Sequence, residues 1–133
     1  MIVPQNATIA VVDGENFNLY RNKGGEGQSI ELTELRQHDS EDRNSASGRS
    51  SSAANPAAKQ MEEDAFGKGV TEKLNKMVLE NRIEALIIIA APRSLGEMRR
   101  NYHAKLQDVL LAEIDKTLTN ASIEEIERAL SAA

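Results

Sequence analysis

Several acidic residues could together form a metal site, and the first of them follows a predicted strand. Asp13 ends the apolar run Thr8–Val12. Four further acids could join it, namely Glu15, Glu62, Glu63 and Asp115. Two carboxylates and water suit Mg²⁺, and two such ions would suit phosphodiester cleavage. The alternative is that Asp13 shapes an Asp-Gly turn and that the helix acids complement a helix dipole. Because no spacing among these acids is diagnostic of a metal site, we predict neither a metal nor another cofactor, and Asp13 remains a weak candidate.

Arginine side chains near a predicted helix start offer a second kind of site. Ser94 and Glu97 have the spacing of a capping box, so we expect a helix to begin near Ser94. Backbone amides at such a helix start point outward, and the helix dipole favours a phosphate there. The spacing therefore predicts an anion or partner site at Arg93, Ser94, Arg99 and Arg100. The alternative is a solvated helix face together with a loop arginine, Arg93, that pairs with Glu97 or a neighbouring acid.

A polar segment separates the first third of the chain from the rest. Residues 36–60 contain no large aliphatic residue and no Phe, Tyr or Trp. Such a composition cannot bury enough surface to offset its ordering entropy. We therefore predict a single domain over residues 1–133 with a mobile insertion at about 39–58. Arg43, Gly48 and Arg49 of this insertion are candidates for RNA or partner contact, although the composition equally fits a passive loop.

The two histidines are far apart in sequence, and neither has an obvious partner for metal binding. We expect His38 to lie at a strand end and His103 to terminate a helix.

The pattern of apolar residues predicts the elements that carry these candidates. Residues 86–91 are apolar without alternation, which is typical of a strand covered on both faces, and Pro92 ends it. The strand-like patterns of three segments predict an antiparallel meander over residues 8–12, 16–21 and 29–35. A helix from Pro56 to about 80 is expected to bury an apolar stripe that begins at Met61. The pattern then predicts a helix near Leu95 that continues toward residue 111. It further predicts a strand over 111–116 and a last helix capped by Ser122 and Glu125. The order βββ-α-β-α-β-α predicts an α/β fold with a mixed five-stranded sheet.

Composition and charge restrict the possible partners. The chain has 133 residues, a formal net charge of −5 and 3% aromatic residues. The net charge disfavours a large phosphate-binding surface but allows a local basic patch, and the low aromatic content leaves few stacking platforms for single-stranded nucleic acid. The absence of Cys excludes disulfides and thiolate metal sites. The longest apolar run, residues 85–91, is too short to cross a bilayer, and no basic region precedes the first strand. We therefore expect a cytoplasmic protein without membrane contact.

Four segments together resemble a known family. They are Ala10-Val-Val-Asp-Gly14, Phe66-Gly-Lys-Gly-Val-Thr-Glu-Lys-Leu-Asn75, Ile89-Ala-Ala-Pro-Arg-Ser-Leu-Gly-Glu97 and Glu113-Ile-Asp-Lys-Thr-Leu-Thr119. In this order the chain resembles the bacterial host attachment protein family, described as required for attachment to host cells. That family is in turn similar to the middle domain of archaeo-eukaryotic release factors and Pelota proteins. The resemblance covers essentially the whole chain and implies a ribonuclease H-like sheet.

The resemblance also implies where a catalytic loop would lie. In release factors the loop before the long helix carries a Gly-Gly-Gln tripeptide that promotes peptidyl-tRNA hydrolysis. Here residues 47–55 contain no such tripeptide, and Gly24-Gly25 is separated from Gln28 by Glu26-Gly27. We therefore predict a non-enzymatic interaction module with a protein or ribonucleoprotein partner and an indirect role in attachment. The alternatives are a translation-linked protein that binds the ribosome or tRNA, and a metal-dependent nuclease that uses Asp13.

Overall fold

The computed structural model describes residues 1–25, 29–35 and 56–133. Its strands are β1 (Thr8–Val12), β2 (Phe17–Asn22), β3 (Leu32–Glu34), β4 (Leu86–Ala90) and β5 (Leu110–Ile114). Its helices over the same residues are α1 (Pro56–Leu79), α2 (Pro92–Arg99), α3 (Ala104–Val109) and α4 (Ile123–Ala132). The strands form one mixed sheet in the order β3-β2-β1-β4-β5. The predicted α/β fold class is confirmed.

The apolar segment of the second half forms the centre of this sheet. β4 lies between β1 and β5 and pairs in parallel with both, with Ile88 opposite Ala10 of β1. Every residue of β4 is fully buried. Ile88 faces the layer that contains α1, whereas Ile87 and Ile89 face the layer that contains α4. A strand covered on both faces needs apolar side chains at every position, which explains why this segment shows no alternation.

Among the helices of the described residues, three cover one face of the sheet and one covers the other. α1 contributes Val70, Leu74, Met77 and Val78 to the first layer, where Leu95 and Met98 of α2 and Leu106 of α3 also lie. α4 contributes Ile126 and Leu130 to the opposite layer. α4 begins with the predicted capping box, in which Ser122 accepts from the Glu125 amide and Glu125 accepts from the Ser122 amide. Such a cap stabilises a helix by about 1 kcal/mol.

The connection from β4 to β5 contains two helices where the sequence predicts one that continues. α2 ends at Arg99 and α3 begins at Ala104. The prediction that His103 terminates a helix is wrong, because His103 instead caps the start of α3. Its Nδ1 accepts a hydrogen bond of 3.0 Å from the backbone N–H of Lys105.

Two further elements differ in extent from their predictions. β3 is a short strand, Leu32–Glu34, although the alternation extends over residues 29–35. Met61 is not part of the buried stripe of α1, because 72% of its surface is exposed. The buried positions of α1 begin near Gly67, so its first three turns contribute little to the core.

Some predictions fall on residues that the structure does not describe. His38 and nearly all of the predicted insertion at 39–58 lie outside the described residues, and α1 begins at Pro56. Among the described helices, none combines the length and the apolar character needed to cross a membrane.

Candidate functional site

The carboxyl ends of the three parallel strands bring several predicted residues to one edge of the sheet. β1, β4 and β5 run in the same direction, so Asp13, Ala91 and Asp115 follow their last residues at this edge. Open α/β sheets usually place ligand sites at the carboxyl ends of their strands. We call this region the carboxyl edge.

Asp13 is held in this edge by hydrogen bonds to both of its carboxylate oxygens. Oδ1 accepts from the backbone N–H groups of Glu15 and Asn16, at 2.7 and 2.6 Å. Oδ2 accepts from the Thr119 hydroxyl and more weakly, at 3.4 Å, from the Asn16 amide. The carbonyl oxygen of Thr119 in turn accepts from the Asn18 side chain at 3.3 Å. Asp13 therefore fastens the β1–β2 turn to the loop that follows β5.

The environment of Asp13 favours its charged form. Partial burial raises the pKa of Asp13, but the hydrogen bonds from Thr119 and from the Glu15 and Asn16 amides outweigh it and hold the pKa below its usual value. A carboxylate whose oxygens already accept four hydrogen bonds would have to give some of them up to bind a metal ion. This arrangement supports the turn-forming role of Asp13.

Within residues 1–25, 29–35 and 56–133, no three His, Asp or Glu side chains are grouped closely enough to hold a metal ion. Glu63 does approach this turn, because a Cβ atom on Gly14 would lie 2.8 Å from its Cγ and Cδ atoms. Glu63 therefore packs over Gly14, and a side chain at position 14 would require the flexible Glu63 side chain to move.

The start of α2 also lies at the carboxyl edge, but it is built differently from the prediction. The helix begins at Pro92, with Ala91 as its N-cap, and no side chain caps it. The predicted capping box of Ser94 and Glu97 is therefore wrong. Proline is favoured at the first helical position, so the helix begins two residues before Ser94.

The four residues of the predicted anion site are not brought together. Arg93 lies at the start of α2, where its Nε atom is 3.9 Å from Asp64 of α1. Arg99 and Arg100 lie at the other end, because α2 is 8 residues long and spans about 12 Å. Arg100 pairs with Glu97 at 3.8 Å. All three arginines are exposed and each lies near a different acidic side chain, and binding of an anion or partner at these positions stays a prediction.

Arg99 belongs to a cluster that sequence reasoning did not identify. Its guanidinium lies 2.8 Å from the Glu113 carboxylate, which also accepts from the Tyr102 hydroxyl at 2.6 Å. Burial raises the pKa of Glu113, but the hydrogen bonds from Arg99 and Tyr102 outweigh it and lower the pKa overall. Burial and the bond to Glu113 raise the pKa of Tyr102. The cluster fastens the α2–α3 connection to β5, and no motif spacing would have revealed it.

A groove of about 1100 Å³ lies between α1 and the β1–β2–β3 side of the sheet. Its charged lining residues are Arg21, Lys73, Lys76 and Arg82 together with Glu72, Glu80 and Glu84. Arg21 donates a hydrogen bond of 3.2 Å to the carbonyl oxygen of Arg82. Because acidic side chains are interspersed with the basic ones, the groove is not a strongly basic channel. The groove combines residues 69–84 with residues of β2 that are distant from them in sequence, so only the packing of α1 across β2 could reveal it.

The loop candidates Arg43, Gly48 and Arg49 lie outside the described residues, so their contacts stay predictions.

Comparison with known proteins identifies a family. A model described as bacterial archaeo-eukaryotic release factor family 12 matches residues 6–130. A search of curated proteins finds no match to the chain. The family match supports the relation to release factors that the sequence predicts. It does not support the host attachment label, and the ribonuclease H-like classification likewise remains a prediction.

Proposed function

The chain belongs to bacterial archaeo-eukaryotic release factor family 12, and from this premise we propose that it binds the ribosome or tRNA without releasing the nascent peptide. The family match over residues 6–130 is the observation that supports binding to the ribosome or tRNA. The absence of a Gly-Gly-Gln tripeptide from the sequence supports the proposal that the chain does not release the nascent peptide. The tripeptide is the part that promotes hydrolysis in the release factors that the chain resembles.

The geometry at Asp13 favours this proposal over the nuclease alternative. A two-metal nuclease needs carboxylates with free oxygens that converge on the ions. Asp13 instead accepts from two backbone amides, the Thr119 hydroxyl and the Asn16 amide. Neither oxygen of Asp13 is thus left without a hydrogen bond, which supports a structural role.

Because the chain is acidic overall, contact with RNA requires a local group of basic residues. The net charge of −5 opposes approach to a phosphate backbone, so a few basic residues must provide the attraction. We assign this role to Arg49, which lies in the segment that corresponds to the working loop of the release factors, and to Arg43, which precedes that segment. Each phosphate contact made by an arginine adds about 0.7–0.9 to the slope of log K against log salt concentration.

An indirect role in attachment to host cells remains a second proposal, and it depends on the sequence resemblance alone. A protein that acts through translation could alter attachment by changing which surface proteins are made. In that case attachment to host cells would require ribosome binding. Variants that no longer bind the ribosome would also lose attachment.

Co-sedimentation with purified bacterial ribosomes through a sucrose cushion tests the proposal. The wild-type chain is expected to pellet with ribosomes at low salt and to leave the pellet as salt rises. The double variant Arg43→Ser and Arg49→Ser should bind more weakly, with a salt slope smaller by roughly 1.4–1.8 for two lost phosphate contacts.

The matched control replaces Lys59 and Lys105, two exposed residues on α1 and α3, with serine. It changes the net charge by the same amount and should bind like the wild-type chain. Absence of the wild-type chain from the ribosome pellet at every salt concentration would reject ribosome binding. Equal loss of binding in both double variants would reject the assignment to Arg43 and Arg49.

A further inference from the structure

The outward side of α1 carries an unusual set of exposed residues. The side that faces the core contains Val70, Leu74, Met77 and Val78. The opposite side, which we call the outer face, carries the exposed residues Met61, Ala65, Lys68, Gly69, Glu72, Lys76 and Leu79, and three of them, Gly69, Glu72 and Lys76, also border the groove described above. Met61 and Leu79 are 72% and 53% exposed and are among the few large apolar side chains that the described part of the chain leaves in solvent.

Four of these residues are placed symmetrically along the helix. Met61 and Leu79 are 18 residues apart, which is five turns, so they lie on the same side about 27 Å from each other. Lys68 and Glu72 lie between them, one turn apart. Both pairs are centred on position 70 of the helix. Neither Lys68 nor Glu72 forms an ion pair with another residue of the described chain.

A shared centre is what an antiparallel contact between two identical helices requires. A two-fold axis at position 70 places Met61 opposite Leu79 of a second copy, and Lys68 opposite Glu72 of that copy. Each contact then occurs twice, because the axis repeats it. Near the axis lies Gly69, where an added Cβ atom would meet nothing within 4 Å, so the second helix can approach closely.

We propose that the outer face of α1 is a homodimer interface, in which two copies pack antiparallel through Met61 and Leu79 and align through Lys68 and Glu72. The symmetry favours a second copy over an unrelated helix, which would not need complementary residues at equal distances from one point. Two exposed ion pairs and two small apolar contacts predict a reversible dimer rather than an obligate one. This inference does not depend on ribosome binding.

Reversal of one charge tests this arrangement by sedimentation equilibrium of the full chain over a concentration series. Lys68→Glu or Glu72→Lys alone turns both ion pairs into repulsions. Each should raise the dimer Kd by about tenfold, because two exposed ion pairs are replaced by two repulsions.

An equimolar mixture of the two reversal variants should dimerise like the wild type. In the mixed dimer the glutamate introduced at position 68 faces the lysine introduced at position 72. The native lysine that one copy retains then faces the native glutamate that the other retains, so both ion pairs are restored. Met61→Ser should weaken the dimer without altering the circular dichroism of the chain.

Charge reversals on other exposed positions, Lys105→Glu and Glu124→Lys, serve as the control pair and should leave the Kd unchanged. A wild-type chain that stays monomeric at millimolar concentration would overturn the proposal. So would a dimer that the single reversals do not weaken, because that dimer would use another face. Failure of the mixture to recover dimerisation would overturn the antiparallel alignment.

Discussion

Replacement of Asp13 distinguishes a structural role from a catalytic one. Asp13→Ala removes the acceptor for the Glu15 and Asn16 amides, at 2.7 and 2.6 Å, and for the Thr119 hydroxyl. Each bond contributes about 1 kcal/mol, so their loss should lower the free energy of unfolding by about 3 kcal/mol. For a chain of this size that corresponds to a fall in Tm of roughly 10 °C.

Asp13→Asn should be much milder. The asparagine Oδ1 can still accept from the two backbone amides, and its Nδ2 can donate to Thr119, whose hydroxyl accepts as well as donates. We expect a loss of about 1 kcal/mol, which reflects the weaker hydrogen bonds of an uncharged acceptor. The order of stability is therefore wild type, then Asp13→Asn, then Asp13→Ala.

The difference between wild type and Asp13→Asn should depend on pH. Hydrogen bonds hold the pKa of Asp13 in the folded chain below its ordinary value of 3.8. Its stabilising contribution is therefore fully present above that value and is lost as the pH falls through the folded pKa. Above about pH 5 the stability difference should be constant, and below about pH 4 it should shrink.

Urea denaturation at several pH values, followed by circular dichroism, measures these quantities. Asp115→Ala is the matched control, because Asp115 also follows a parallel strand but is exposed. It should change the stability by less than about 0.5 kcal/mol. If Asp13→Asn raised the stability while abolishing calorimetric Mg²⁺ binding, Asp13 would be a metal ligand and the structural account would be wrong.

Two further changes test the packing around the sheet. Gly24→Ala should lower the free energy of unfolding by about 1–3 kcal/mol, because its Cβ atom would collide with the Ser29 carbonyl oxygen. Gly69→Ala, in open space on α1, should instead raise it by up to about 1 kcal/mol, so calorimetry that found both changes equal would contradict this reading. Tyr102→Phe removes the 2.6 Å hydrogen bond to Glu113 and should cost about 1 kcal/mol in urea denaturation; an unchanged midpoint would mean that this bond contributes nothing net.

The elements of the fold could be predicted where the local sequence was compatible with one kind of structure only. The strand at residues 86–90 follows from apolar side chains at every position, and the cap of α4 follows from Ser122 and Glu125. The start of α2 could not be assigned correctly from spacing, because Pro92 and Ser94 both offer a helix start. Ala91 and Pro92 provide it in the structure, and the Ser94 hydroxyl forms no cap.

The candidate site depends on contacts that are distant along the chain. Asp13 and Thr119 are 106 residues apart, and no local pattern indicates that they form a hydrogen bond. Arg93 and Arg99 are close in sequence, yet the length of α2 separates them and each meets a different acid. Residue type therefore identified chemically capable side chains, whereas the packing of helices and loops decided which of them meet.

Release of formylmethionine from ribosomes that carry labelled initiator tRNA tests the central claim most directly. In one sample the chain is pelleted with the ribosomes and the free label is counted in the supernatant. We predict that the chain enters the pellet and that the label is released no faster than in buffer alone. Release above that rate, or a chain that stays wholly in the supernatant, would contradict the account.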